Sequence, residues 1–252
     1  MSWIAALRLP VCIMGVVFSI LGFKLAGIEQ FWAVPVAIFF IGISTMLQND
    51  WRDRFHDIRK GKFFAFQHER MFYRVLSVSW MITGTLVLHV FAENVMMGIV
   101  LMTASFCGFL YSELRLVPLA PIVLVSLMSG IPILLPVAAG MGNMRIWTLF
   151  FATLLIVFGR ELTKDIEDMG IDRGYKWTIP LALGGEIAMP LSVLITASGF
   201  LLAGIWFHVV AYILPVAAFG LLRYSKMEKT GKMRLSIDIA MALSMVVIFF
   251  FS

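Results

Sequence analysis

The sequence predicts an all-α membrane protein of nine transmembrane helices, and three observations predict it. The chain is 61% hydrophobic and only 14% charged, where a soluble domain carries about 25% charged residues. Its apolar residues gather in nine long runs separated by short polar links, as a polytopic chain requires. Of its 20 Lys and Arg residues, only Lys24 and Arg145 fall on the side that alternation makes external, the asymmetry of the positive-inside rule. No sizeable soluble domain fits this composition, so residues 1–252 are read as a single polytopic domain. The net charge of +5 belongs to short loops beside anionic lipid and implies the bilayer, not a nucleic acid, as partner. Cys12 and Cys107 both lie in apolar runs and imply no disulfide framework or zinc site.

The first run covers residues 10–27. Arg8 precedes it with no small-residue cleavage pattern, so it is expected to be retained as a helix, with Lys24 snorkelling near its end. The second run, 31–48, leads into the longest and most basic polar segment, which holds Arg59, Lys60, Lys62, His68, Arg70 and Arg74. That segment is cytoplasmic by the same rule, which puts the N-terminus inside, as expected in a cell inner membrane. Runs three and four, 71–91 and 95–111, flank the link Ala92-Glu93-Asn94, which has no Lys or Arg and is expected outside. Run five, 117–139, holds Pro118, Pro121, Pro132 and Pro136, which imply kinks. Gly140-Met141-Gly142-Asn143 is an external turn before run six, 146–162. Gly170 and Gly174 mark the loop that follows. Run seven starts near Thr178 and contains Pro180 and Pro190. Ala197-Ser198-Gly199 is read as a tight external turn into run eight, which ends near Leu222. Arg223, Lys226, Lys229, Lys232 and Arg234 make a basic inside loop, and run nine covers 237–251.

Two acidic clusters stand out. Residues 49–57, Asn49-Asp50-Trp51-Arg52-Asp53-Arg54-Phe55-His56-Asp57, follow the second run. On a helix, Asp50, Asp53 and Asp57 fall within roughly 60° of one another, and Asn49, Asp53 and Asp57 within roughly 80°. Residues 161–172 repeat the spacing after the sixth run in Asp165, Asp168 and Asp172, with Glu161 one turn earlier on the same side and Glu167 pointing away. Carboxylates this close raise one another's pKa unless a cation neutralises them. Hard oxygens in this number suit Mg²⁺, which bridges to substrate phosphates. One charged segment between membrane helices is by default a solvated turn. Its duplication, with basic neighbours, argues for a metal-diphosphate site, and the nine-helix topology puts both clusters on one face. His56 and His68, in the basic loop, are expected to be solvated, and His89 and His208 to be packing residues.

These residues carry a family likeness. Asn49-Asp50-x-x-Asp53-x-x-x-Asp57 resembles the first aspartate-rich motif of the UbiA superfamily of intramembrane prenyltransferases. Arg160-Glu161-Leu162-Thr163-Lys164-Asp165-Ile166-Glu167-Asp168-x-x-x-Asp172 resembles the second. Within the superfamily the chain is most similar to the branch that includes digeranylgeranylglyceryl phosphate synthase. Leu7-Arg8-Leu9-Pro10, Tyr111-Ser112-Glu113-Leu114-Arg115 and Thr178-Ile179-Pro180 with Gly184 are further echoes. The family's prolines after the first motif are absent: residues 58–70 contain none.

The resemblance implies a helical bundle around a central cavity, with the aspartate-rich motifs on the cytoplasmic side. It implies Mg²⁺-dependent transfer of a prenyl group from an isoprenoid diphosphate to a lipophilic or aromatic acceptor, in lipid or quinone biosynthesis, with release of diphosphate. The implied metal set is Asn49, Asp50, Asp53, Asp57, Asp165, Asp168 and Asp172, with Asp53, Asp57, Asp165, Asp168 and Tyr111 as the catalytic group. Arg160, Lys164, Lys60 and Arg115 are candidates for the diphosphate, since guanidinium suits bidentate phosphate binding, and Arg8 for an anionic acceptor. Two alternatives stand beside this. A UbiA-like terpene cyclase keeps the metal site and quenches its cation internally. A cation transporter or channel should carry carboxylates deep within its spans; here they cluster at helix ends.

Overall fold

The apolar runs form the long helices, two of which carry an asparagine cap. The computed structural model describes residues 6–207 and 229–251. Eight long helices follow one another: α1 (Leu9–Ala26), α2 (Ala33–Asp53), α3 (Glu69–Glu93), α4 (Val95–Leu110), α5 (Ala120–Ala138), α6 (Met144–Asp172), α7 (Gly185–Gly204) and α8 (Thr230–Phe251). All except α4 are long and apolar enough to cross a membrane. At 16 residues, α4 reaches only about 24 Å. Asn94 caps α4 by accepting from Met97 N at 2.9 Å, and Asn143 caps α6 by accepting from Ile146 N at 3.0 Å. The part of the eighth predicted run from residue 208 to Leu222, with His208, Arg223 and Lys226, lies outside the described residues.

The helices pack in two groups that share α1 and α5. Phe18, Ile133, Ile156, Phe200 and Ile237 represent a core joining α1, α5, α6, α7 and α8. Phe23, Ile38, Val90, Leu101 and Leu135 represent one joining α1 to α5. A smaller cluster of Cys12, Leu47, Phe72 and Leu76 binds α1, α2 and α3. The two ends of the bundle differ. At one end the Lys24 ammonium meets the Phe249 carbonyl, and Asn143 Nδ2 donates to Leu25 O at 2.8 Å. At the other, Arg8 at the start of α1 meets Asp50 near the end of α2. Both acidic clusters lie at this second end.

Three expectations are corrected. Ala197-Ser198-Gly199 is no turn: α7 runs through it to Gly204. The small residues serve helix contact instead. A Cβ on Gly199 would lie 2.8 Å from Ala152 O, and one on Gly159 would lie 2.1 Å from Thr196 Oγ1, so α6 and α7 touch backbone to backbone there. The seventh run does not begin as one helix at Thr178. A short helix, Ile179–Leu183, stops at Gly184, whose φ of 87° only glycine adopts without strain, and α7 starts after it. Lys232 and Arg234 are not in a loop but on the first turns of α8, where Arg234 pairs with Glu167 at 3.0 Å.

Candidate active site

The two acidic clusters are built differently. α2 stops at Asp53, and Asp57 opens a separate 3-10 turn, Asp57–Lys60, ended by Gly61 at φ 72°. The single helical face expected for Asp50, Asp53 and Asp57 is therefore broken after Asp53. α6, in contrast, is continuous for 29 residues through Asp172, about 43 Å of helix, longer than the roughly 30 Å hydrocarbon core. Asp165, Asp168 and Asp172 keep their helical register on its projecting turns.

Each carboxylate has a basic partner. In the first cluster, Asp50 is buried against the Arg8 guanidinium. Arg8 itself stands in the left-handed region at φ 46°, a costly conformation for a side chain with a Cβ. Asp53 takes Arg115 Nη1 at 2.7 Å and the Tyr175 hydroxyl at 2.8 Å. Asp57 lies 3.9 Å from Lys62. Burial pushes the Asp57 carboxyl above its ordinary pKa; Lys62 opposes the rise, and Asp50 and Asp53 add to it. Asn49 is partly buried on the last turns of α2, with no side-chain hydrogen bond among the described residues. Asp50, Asp57 and Lys62 line a cleft of about 240 Å³ with Ala6, Phe64 and Phe72.

In the second cluster two ammonium groups are shared. Lys176 Nζ sits 2.9 Å from Asp165 and 2.8 Å from Asp172. Lys60 Nζ sits 2.7 Å from Asp168 and 3.2 Å from Asp172. Burial opposes the charge on Lys176, but Asp165 and Asp172 outweigh it and hold the amine well above its ordinary pKa. A second cleft, about 350 Å³, is lined by Asp165, Lys176, Glu161 and Tyr111 beside apolar Leu119 and Ile122. Arg160 and Lys164, two residues expected at the diphosphate, are both engaged by Glu161, Lys164 at 2.9 Å; Arg160 also donates to Asp238 of α8 at 2.8 Å.

The clusters meet through His56 and Tyr175, neither of which the sequence places at the site, and through Lys60, which it does. His56, expected to be solvated, is 6% exposed, and its Nε2 lies 3.1 Å from Asp172 Oδ1. Its ring stacks on Tyr175 at 3.7 Å between centroids and 4° between planes. Lys60 crosses from the first segment to the second in the same way.

Among the described residues, no group of three His, Cys, Asp or Glu converges as a preformed metal cluster. The oxygens converge on lysine ammonium groups instead. The donor chemistry still fits Mg²⁺: hard carboxylates from two chain segments, with Asp172 sharing each of two cations with a neighbouring carboxylate.

An all-helical membrane bundle with two acidic segments joined at one end is what the fold and site define. No protein-family model and no curated protein sequence matches the chain. Its fold matches solved structures of UbiA homologues. A UbiA homologue from Aeropyrum pernix K1, solved without ligand, matches at 18% identity with a TM-score of 0.73, covering 96% of this chain and 97% of that one. A digeranylgeranylglyceryl phosphate synthase matches at 18% identity and TM-score 0.72, covering 98% and 96%. A homologue from Archaeoglobus fulgidus, bound to DMAPP and Mg²⁺, matches at 16% and 0.67, covering 99% and 98%. At these identities the likeness establishes a shared fold over nearly the whole length of each chain.

Proposed function

We propose that the chain is an Mg²⁺-dependent intramembrane prenyltransferase that moves a prenyl group from an isoprenoid diphosphate to a lipophilic or aromatic acceptor. The observation that carries this reading is the meeting of two acidic segments, 116 residues apart at the His56–Asp172 contact, in a fold shared with a DMAPP- and Mg²⁺-bound homologue. The reading includes nine spans, with the N-terminus and both acidic segments on the cytoplasmic side of the cell inner membrane. The Lys and Arg asymmetry supports it, as does Lys24 lying at the end of the bundle opposite the acidic segments.

The reaction breaks the allylic carbon–oxygen bond, and diphosphate leaves with the electron pair. The acceptor nucleophile bonds to the allylic carbon and loses a proton. Asn49, Asp50, Asp53, Asp57, Asp165, Asp168 and Asp172 are the residues that would hold Mg²⁺, which when bound would supply positive charge for the leaving diphosphate. Lys60, Lys176 and Arg115 exchange their carboxylate partners for phosphate oxygens when the donor enters. Tyr111, beside Asp165 and Lys176, contacts the reacting end. Arg160 and Lys164, bound to Glu161, orient the turn before Asp165, and Arg8 meets an anionic acceptor. The apolar walls keep water from the allylic cation.

The test is diphosphate release by purified protein with geranyl, farnesyl or geranylgeranyl diphosphate and Mg²⁺. Asp53→Ala and Asp165→Ala run beside the parent. Release that requires Mg²⁺ and falls at least about 100-fold in both variants is expected from losing a charge-stabilising ligand. A parent that neither binds nor turns over any donor overturns the reading. Cyclised hydrocarbon formed without an acceptor would assign the same site to a terpene cyclase.

A further inference from the structure

The contact between His56 and Tyr175 stands apart from the ion pairs around it. It is a parallel ring stack at 3.7 Å, and each ring reaches a carboxylate of the opposite segment. His56, from the first segment, meets Asp172 of the second at 3.1 Å. Tyr175, from the second, donates to Asp53 of the first at 2.8 Å. The arrangement is reciprocal: two rings face to face, each holding the other segment's aspartate.

Three chain segments are joined there. Arg115 reaches the Tyr175 hydroxyl, and its guanidinium carbon lies 4.8 Å from the Tyr175 ring centre. Trp177 N donates to Arg115 O at 3.0 Å, pinning the loop after α6 to the segment after α4. Tyr175 N donates to Asp172 O at 2.9 Å, so the ring's position follows from where α6 ends. Gly174, at φ 79°, makes the turn that brings Tyr175 back over the site.

The first segment needs such a tie. Its helix has already ended at Asp53, so nothing in helical geometry sets Asp57 and Lys60 relative to α6. No proline stiffens residues 58–70. A flat stack costs little side-chain entropy for the area it orders, because each ring has only two rotatable bonds.

We infer that His56 and Tyr175 are positioning residues, a ring clasp that sets Asp53 and Asp172 in mutual register and so makes the two acidic segments one diphosphate site. This rests on the prenyl diphosphate reading above. The clasp holds the 54–62 connector against the end of α6, and each ring fixes the carboxylate that the other segment presents to the donor.

The test reads geometry and binding separately. In a Cys12→Ala, Cys107→Ala background, spin labels are placed at Arg59 and Arg173, both exposed, and the distance distribution is measured without donor. The parent is expected to give one narrow distance. Tyr175→Leu, which removes ring and hydroxyl, broadens it and raises the donor Kd by about 10-fold or more. Tyr175→Phe keeps the ring and loses the hydroxyl that donates to Asp53 and accepts from Arg115. It retains the narrow distance and raises the donor Kd less than Tyr175→Leu does, about 3- to 10-fold, the net worth of one ordinary hydrogen bond. His56→Phe, keeping the stack, restores the narrow distance that His56→Leu loses. An unchanged distance in Tyr175→Leu overturns the clasp, and a broadened distance with unchanged donor affinity overturns its positioning role. If the parent binds no donor, the diphosphate reading fails, while the distances still judge the clasp.

Discussion

The two acidic segments carry the same spacing of aspartates and are held by opposite means. The second rides on α6, one unbroken helix seated against α7 by Gly159 and Gly199 and against α8 by the Arg160–Asp238 pair. Its register is fixed by the backbone. The first runs off the end of α2 into a 3-10 turn, and its aspartates are held by Arg8, Arg115 and Tyr175 from elsewhere in the chain and by Lys62 just beyond the turn. Spacing in sequence therefore states which residues are of one kind, not that one kind of geometry presents them. A rigid half and an adaptable half suit a site whose carboxylates must give up lysine partners when a charged ligand arrives.

The sharpest test of that difference is to delete one carboxylate from each segment and read stability without Mg²⁺ or donor. Asp172 is fully buried and meets Lys60, Lys176 and His56. Asp172→Ala leaves the partly buried Lys60 and Lys176 with one carboxylate each, Asp168 and Asp165, and strips the buried His56 of its partner, so it is expected to cost about 3 kcal/mol. Asp50 is also buried, but its Arg8 partner is 29% exposed and can turn toward water, so Asp50→Ala should cost clearly less. Thermal unfolding in detergent measures both. A larger loss in Asp50→Ala would reverse the assignment of rigid and adaptable halves.

Much of this is legible in the sequence. Hydropathy marks membrane helices strongly because lipid leaves the backbone no other partner, and seven of the predicted runs appear as span-length helices, with the fourth run as the short α4. The two acidic segments were legible from spacing alone. The partners of those aspartates were not. His56 and Tyr175 acquire their roles only where segments 116 and 122 residues apart meet, and no local pattern distinguishes His56 from the exposed His68. Nothing in the local sequence sets Lys176 apart from the other loop cations. Ala197-Ser198-Gly199 was misread because small residues signal both a turn and a close helix contact; hydropathy does not separate the two, while the backbone of α6 at 2.8 Å does.

That contact supplies the next test. If α6 is rigid because it lies directly on α7, a single methyl at Gly159 should loosen it. The added Cβ would fall 2.1 Å from Thr196 Oγ1 and 2.9 Å from Ser192 O. Gly159→Ala is expected to lower stability by about 1–3 kcal/mol, the usual cost of overpacking. Adding Thr196→Ala should recover only part of the loss, since the backbone oxygen remains in the way. Complete recovery would mean that the helices can move apart freely, and the rigid half would lose its structural basis. Thermal unfolding of the single and double variants decides it.

The smallest expected effect is on the adaptable half, and it has the opposite sign. Asp57 is buried with its pKa raised, chiefly by desolvation. A carboxyl whose folded pKa lies above its unfolded value contributes stability below the unfolded pKa and loses that contribution as pH rises through the folded one. Ionisation of Asp57 therefore opposes folding, and neutral Asn should relieve it. Asp57→Asn is expected to raise the unfolding temperature slightly at pH 7 without Mg²⁺, with the gain over the parent shrinking as pH falls toward the carboxylate range. The gain should invert when Mg²⁺ is added, because cation binding stabilises the folded parent and the variant has lost a ligand. Unfolding curves for both proteins, with and without Mg²⁺ across pH, test this. A variant less stable than the parent without Mg²⁺ at pH 7 would show that Lys62, 3.9 Å away, already compensates the buried charge, and that the first segment is as settled without its ligand as the second.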